Sequence, residues 1–356
     1  MTRTLLCLSL ILGLGMASGA AVAQDNSPAA PKSTLPVEGR LPTLDGATTW
    51  IGSPALTPAS LRGKVVLVDF WTYSCINSLR QVPFLRAWAQ HYGGHGLVII
   101  GVHSPEFQFE RNLENVRRAV KDIAPGYPVA VDSDHAVWQA FDNEYWPALY
   151  IVDSDGRIRH KVFGEGEYAE TEATIRQLLT DAGQTNLPPA LTSVRTVGVE
   201  VQADWNDLRT EETYVGAARA QRFASPEGFT RGRQHTYTVP KGLSDGDWGF
   251  AGDWTVGNES ALSNGAGGRI VFRFHARDVN LVMGPSSPGK PVRFHVLIDG
   301  KPVGADHGVD VDADGRGTVT IPRMYQLVRQ KGAIVDRTVE IVFDDPGVQA
   351  YSFTFG

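Results

Sequence analysis

Cysteine is almost missing from this chain, with two in 356 residues, Cys7 and Cys75. That count excludes a disulfide-stapled scaffold and a multi-cysteine metal site, and no His/Cys grouping has zinc-ligand spacing. Charge of one sign is lacking too. With 33 basic against 39 acidic residues and no basic run, the sequence has none of the electrostatic footprint of a nucleic-acid binder. Beyond the first two dozen residues no stretch approaches the ~20 apolar residues that a membrane-spanning helix needs. Internal repeats and long low-complexity tracts are absent, which excludes solenoid architectures.

Residues 1–23 carry one early cation, Arg3, an apolar run from Leu5 to Met16, and Ala21-Val22-Ala23 as a small-residue cleavage site. This is the composition of an export signal, and the expectation is cleavage near Ala23 with delivery to the periplasm or the exterior. No Cys follows the cleavage site to take a lipid, and no twin-arginine pair precedes the apolar run. Cys7 would leave with the segment. The exported protein would then keep Cys75 as a lone thiol in a compartment where cysteines are normally paired.

Residues 24–36 are polar and Pro-rich and read as a disordered lead-in. From Leu41 to Leu179 strand and helix signals alternate. Residues 65–70 form a Val-rich strand interrupted only by Asp69, and residues 76–92 place Leu79, Val82, Phe84, Leu85 and Trp88 at helical spacing. A second buried strand follows at 97–102, then a charged amphipathic helix over 107–123, a strand at 129–131 and a helix near 135–141. Strand 148–152, the turn Asp153-Ser154-Asp155-Gly156, strand 158–163 and a closing helix over 171–182 complete an α/β unit with a mixed sheet. Pro188-Pro189 mark a linker over 186–198. Past it the period changes from helical to alternating, with short strands at 269–275, 279–283, 292–298, 317–321 and 338–343 between Gly/Asp/Pro turns. That pattern predicts an all-β sandwich of jelly-roll type. The expected domains are 37–185 and 199–356.

Cys75 stands between strand 65–70 and helix 76–92. A sulfur at the first turn of a helix faces unpaired backbone N–H groups and the positive end of the helix dipole. Both favour thiolate, so a lowered pKa and raised reactivity are expected. The alternative is an inert thiol packed as a small hydrophobe; the polar neighbours Thr72, Ser74, Asn77 and Arg80 speak for an exposed loop-to-helix edge. Asp69, between Val68 and Phe70, is expected to be buried. Burial would raise its pKa and suit it to proton shuttling for the thiol.

In this register residues 37–185 resemble the periplasmic thioredoxin-like proteins of the TlpA/ResA class. The resemblance rests on a strand ending in Trp71, Cys75-Ile-Asn-Ser78 ahead of a helix, Asp69 six residues before the Cys, Pro83 eight after it, and Tyr145-Trp146-Pro147-Ala148 before a strand; Gly164 is a further match. It implies an α/β thioredoxin-like fold in which Cys75 is the nucleophile, Asp69 the buried acid and Pro147 a cis-proline lying against the sulfur. Trp71 and Trp146 would then wall the site, and Pro83 would kink the helix. More narrowly, Trp71-Thr-Tyr-Ser-Cys-Ile-Asn-Ser-Leu-Arg80 and Gly101-Val-His-Ser-Pro-Glu-Phe-Gln-Phe-Glu110 resemble the DipZ-type thioredoxin-like proteins. Gly252-Asp-Trp254, the segment 272–280, Tyr325-Gln-Leu and the terminal 351–356 resemble that family's carbohydrate-binding-module-like sandwich. The family motif reads Cys-Ile-Asn-Cys, and its membrane-embedded reductant-relay domain has no counterpart here.

With Ser78 in place of the resolving cysteine, a mixed disulfide at Cys75 must be released by an external thiol or by another cysteine of the client. The implied partners are client proteins with cysteines or disulfides, and an external thiol or a membrane reductant; no cofactor is implied. A non-enzymatic binding protein, with a decayed thioredoxin scaffold and a glycan- or partner-binding sandwich, is the competing class. Thr72-x-x-Cys75 also matches part of a one-cysteine peroxidase signature. His103 and Glu106 are expected in a loop after the second central strand, where they either tune Cys75 or are simply solvated. Asp310-x-Asp312-x-Asp314-Gly315 matches the opening of a calcium loop, but its twelfth position is Ile321 where a Glu is needed; an acidic hairpin turn is the alternative. Trp205, Trp248 and Trp254 are candidates for a sugar-stacking platform or for core.

Overall fold

Seven consecutive residues with no solvent-facing position, Val65–Trp71, make the middle strand of a seven-stranded sheet. The computed structural model describes residues 34–191 and 193–356. The expected export signal with Cys7, and residues 24–33 of the expected lead-in, lie outside them. Short strands Gly39–Arg40 (β1) and Thr49–Ile51 (β2) precede Val65–Trp71 (β3). Helix α1, Ile76–Tyr92, leads to β4, Leu97–His103; then come α2, Leu113–Ile123, β5, Val129–Val131, and α3, Ala136–Ala140. Ala148–Val152 (β6), Arg157–Phe163 (β7) and helix α4, Tyr168–Asp181, close the unit. The strand order is β1-β7-β6-β3-β4-β5-β2, with β3–β4 and β4–β5 parallel and the other pairs antiparallel. Strands covered on both faces have no reason to alternate. One layer sets Leu85, Trp88 and Tyr92 of α1 and Ile175, Leu178 and Leu179 of α4 against Leu67, Ile99 and Ile151. Burying each such aliphatic side chain is worth about 1.5–3 kcal/mol.

The expected single helix over 107–123 is two elements, a 3-10 turn at Gln108–Arg111 and α2. Asn112 makes the break. Its side chain accepts from the backbone N–H groups of Glu114 at 2.9 Å and Asn115 at 3.3 Å, which caps the new helix.

The second half is antiparallel, two packed sheets sharing one strand. Residues 248–251 of Trp248–Val256 pair with Gly268–Phe274, while residues 252–255 pair with Gln234–Tyr237. The switch falls at Gly252, with φ +83° and a Cβ position only 3.3 Å from the Gly268 Cα; this is a corner that a side chain would crowd. One cluster of aromatic and branched residues, including Trp248, Phe250, Trp254, Phe272, Phe353 and Phe355, fills the space between the sheets.

The described residues form a single compact unit. Ile76 and Leu79 at the start of α1, with Phe107, pack against Val282, Met324 and Tyr351 of the sandwich.

Candidate active site

Cys75 is the N-cap residue of α1, with extended backbone (φ −80°, ψ 116°), and its carbonyl accepts the N–H of Leu79 at 3.1 Å. It is half-buried and carries a free thiol. Its Sγ lies 3.9 Å from the carbonyl oxygen of Trp146, and the Trp146–Pro147 bond is cis. The carbonyl of Pro147 accepts the N–H of Gly164 at 2.8 Å, and Gly164 has φ +88°. The helix start and the Pro147 loop therefore meet at the sulfur, with Trp146 half-buried beside it and its indole N–H on the Ser104 carbonyl at 2.9 Å.

The thiol's acidity is opposite to the sequence expectation. Burial pushes the Cys75 pKa up to about 12, helped by the negative charges of Glu212 and Glu106. Hydrogen bonding from the Ser78 backbone N–H and hydroxyl pulls the other way and loses. The helix terminus offers partial charge, whereas desolvation and two carboxylates act on the full charge of the thiolate.

The polar surroundings are not an exposed edge. Thr72, Ser74, Ser78 and Arg80 are buried, and Asn77 is half-buried. Glu110 explains the first two. Its carboxylate accepts from Thr72 Oγ1 and Ser74 Oγ at 2.6 Å each, and from the backbone N–H groups of Glu106 at 2.6 Å and Phe107 at 2.9 Å. Four donors on one buried carboxylate tie the segment before Cys75 to the segment after β4. Burial still raises Glu110 to about 7. Sequence reading missed this residue; its only local signal is a Glu three places after the start of a turn.

Asp69 is buried in mid-β3, and desolvation raises its pKa to about 8 against the lowering bonds from Gln81 and Tyr127. Gln81 Nε2 donates to Oδ1 at 2.9 Å and the Tyr127 hydroxyl to Oδ2 at 3.5 Å. Trp71 is not a wall of the site. It packs into a core with Tyr73, Val116, Val129 and Val131 on the α2 side. His103 is the last residue of β4 rather than a loop residue, buried between a stacked Tyr73 ring and an edge-on Trp71. Burial drives its pKa down to about 3, so it is neutral.

Glu106 is not solvated. It accepts from the Tyr214 hydroxyl at 2.6 Å and pairs with Arg219 Nη1 at 2.9 Å, both from the sandwich. The Arg219 guanidinium lies 3.5 Å over the Tyr214 ring. Glu212, an exposed residue, stands beside them, and its pKa is raised by the partly desolvated cluster and by the charge of Glu106. Arg80 also belongs to the junction. It is fully buried with Glu165 at 3.6 Å and Asp278 of the sandwich at 3.5 Å, and Asp278 holds Arg329 at 2.7 Å and Arg277 at 2.8 Å as well. Arg277 and Asp278 lie in the segment 272–280 that carries the sandwich resemblance, whereas Glu212, Tyr214, Arg219 and Arg329 belong to no quoted motif.

The remaining candidates lie elsewhere. Asp310 is occupied by Arg323 at 2.6 Å and the Gln326 N–H at 2.8 Å, while Asp312 accepts from the Arg316 N–H at 2.8 Å and, with Asp314, lies in the turn before strand Arg316–Val319. This is the hairpin turn, and among the described residues no His, Cys, Asp or Glu group is arranged to hold a metal. Trp248 and Trp254 are wholly buried core, which removes the sugar platform; Trp205 alone is exposed.

Strand, N-cap cysteine, helix and cis-proline loop together define a thioredoxin-like domain with one sulfur. Residues 63–158 match the family model described as thioredoxin-like, and residues 210–356 the one described as thioredoxin-like C-terminal domain. The chain is 35% identical over 324 residues to the DipZ proteins of Mycobacterium bovis and Mycobacterium tuberculosis, an alignment covering 89% of this chain and 43% of theirs. The similarity to those relatives runs through both matched regions, and the chain spans less than half of their length. The thiol-disulfide oxidoreductase YkuV of Bacillus subtilis is 27% identical over 141 residues, 40% of this chain and 95% of that protein. Among solved structures, a putative thioredoxin from Neisseria meningitidis is 27% identical, with a TM-score of 0.34 over 41% of this chain and 89% of that one.

Proposed function

We propose that this chain is an exported thiol–disulfide exchange protein that works through mixed disulfides at Cys75. One observation carries the reading: the free thiol of half-buried Cys75, at the N-cap of α1, faces the backbone just ahead of a cis-proline. There an extended client segment can lay its disulfide against Sγ. The Cys75 thiolate attacks one client sulfur, the client S–S bond breaks, and the departing sulfur takes a proton. A low-molecular-weight thiol, or another cysteine of the client, then attacks the mixed disulfide and returns Cys75 as thiol. With Ser78 one turn on, isomerisation needs no net reductant, while reduction consumes two equivalents of external thiol.

Deprotonation is the demanding step, because burial and two carboxylates hold the sulfur as thiol. Asp69, raised to about 8, has the proton affinity to serve as acceptor or donor near neutrality through intervening water, and Pro147 and Trp146 set the client's approach. Residues 1–23 fit the export signal, and residues 37–185 and 199–356 the working domains. A binding role without chemistry is favoured by one observation, that same suppression of the thiolate.

The two readings separate on capture. The parent chain, mixed with a periplasmic extract and quenched by alkylation, is expected to form Cys75-linked disulfides that Cys75→Ser lacks entirely. Absence of such adducts, with and without added small thiol, leaves the binding role.

A further inference from the structure

We propose that Tyr214, Arg219 and Glu212 of the sandwich are positioning residues for Cys75: Tyr214 and Arg219 through Glu106, and Glu212 directly, set the charge and loop geometry beside the sulfur, so the second half tunes the thiol of the thioredoxin-like half.

A continuous set of contacts supports this. The Tyr214 hydroxyl and the Arg219 guanidinium hold the Glu106 carboxylate at 2.6 and 2.9 Å. The backbone N–H of Glu106 donates to Glu110 at 2.6 Å, and that carboxylate takes the hydroxyls of Thr72 and Ser74. Ser74 is the residue before the nucleophile. Beneath the polar contacts Phe107 packs on Tyr351 with ring centroids 5.2 Å apart, so the loop after β4 is clamped by the sandwich on an apolar and a polar face. A cavity of ≈ 380 Å³ opens on the sandwich side, lined by Glu212, Tyr214, Arg219 and Arg222, which gives solvent access to the cluster.

The electrostatics run through the same atoms. The charges that reach Cys75 come from Glu106 on the loop after β4 and Glu212 on the sandwich, and both oppose thiolate. From α1 the sulfur meets Ser78, and from the Pro147 loop the uncharged Trp146 carbonyl. Arg219 offsets the two acids, forming a 2.9 Å pair with Glu106 and lowering Glu212. Removing an acid should therefore ease ionisation of the sulfur. Removing Arg219 should leave both acids uncompensated and make ionisation harder.

This inference rests on Cys75 being the reactive group, but its test needs no client. The full chain is alkylated with iodoacetamide across alkaline pH, and the Cys75 peptide is quantified by mass spectrometry. Glu106→Gln and Glu212→Gln are each expected to move the profile to lower pH by about 0.5–1, roughly three- to tenfold faster alkylation below the midpoint. Arg219→Met should move it to higher pH, Arg219→Lys should restore it, and Tyr214→Phe should move it less than Arg219→Met. Thermal unfolding of each variant identifies any that fail to fold. Tyr214→Phe, which removes only a hydroxyl, and the Arg219→Met and Arg219→Lys pair carry the test if a Gln variant does fail. Profiles of folded variants that superimpose on the parent's overturn the proposal. Displaced profiles without any client adduct leave it standing while overturning the exchange function.

Discussion

The thioredoxin-like half and the junction with the sandwich both bury carboxylates, and they treat them differently. In the first, Asp69 and Glu110 are bonded only by neutral groups: an amide and a phenol for one, two hydroxyls and two backbone N–H groups for the other. Neutral donors compensate desolvation only in part, so both acids have raised pKa values, about 8 and about 7. At the junction Asp278 is met by Arg80, Arg277 and Arg329. Three guanidiniums converging on one carboxylate fasten the two halves together, whereas Glu165, paired with Arg80, is still raised to about 7 by burial.

The sharpest way to strengthen that contrast is to restore chemistry on one side without touching the other. Ser78→Cys places a second sulfur one helical turn from Cys75, at i and i+3, where the side chains meet. The variant should form an intramolecular disulfide and reduce a protein disulfide by a dithiol cycle, whereas the parent should show little activity without added thiol. Equal activity of the two without external thiol would break the monothiol mechanism.

A change at the junction should read out in stability. Arg80→Met leaves Glu165 and one side of Asp278 without their cation. Loss of about 3–5 kcal/mol is expected for a broken buried pair, measured by urea unfolding at neutral pH. Glu165 already sits at about 7 with Arg80 present. Without Arg80 it titrates higher still, so the deficit should shrink below neutrality, where Glu165 protonates, and grow above. A loss under ~1 kcal/mol at every pH, the range of an exposed pair, would show that the junction is held by its apolar cluster alone.

How much of this could be read from the chain follows the range of the contacts. Strand 65–70, helix 76–92 and the strand at 148–152 were legible because apolar runs and helical spacing are local, and the observed elements are Val65–Trp71, Ile76–Tyr92 and Ala148–Val152. The cis bond at Pro147 was legible through a family resemblance. Trp248–Val256 was not read as a strand: its glycines break the alternation, and its corner at Gly252 sends the two halves to different sheets. Glu110 grips hydroxyls 36 and 38 residues away, and Glu106 binds Tyr214 and Arg219, 108 and 113 residues on. No periodicity reports such pairs. The expectation of a lowered Cys75 pKa failed for the same reason. The helix start and Glu106 are visible in sequence, but the burial of the sulfur and the approach of Glu212 from the sandwich, which tip the balance, are not.

The finest test falls on Asp69. A carboxyl whose folded pKa of about 8 lies above its ordinary 3.8 binds more protons folded than unfolded between those values. Its contribution to stability is therefore fully present below pH ~4 and is lost as pH rises towards 8. Asp69→Asn keeps the shape and can still accept from Gln81, but no longer carries a charge to bury. The variant should match the parent near pH 4 and exceed it by about 2–4 kcal/mol near pH 8. Each tenfold change in proton affinity is worth roughly 1.4 kcal/mol, and relaxation around the buried charge returns part of the total. Its Cys75 mixed disulfide should also turn over more slowly near neutrality, because the proton-exchanging group is gone. A gain in stability with an unchanged release rate would reduce Asp69 to a packing residue. A stability difference independent of pH would mean that Gln81 and Tyr127 hold it ionised, placing Asp69 with the fastened acids of the junction.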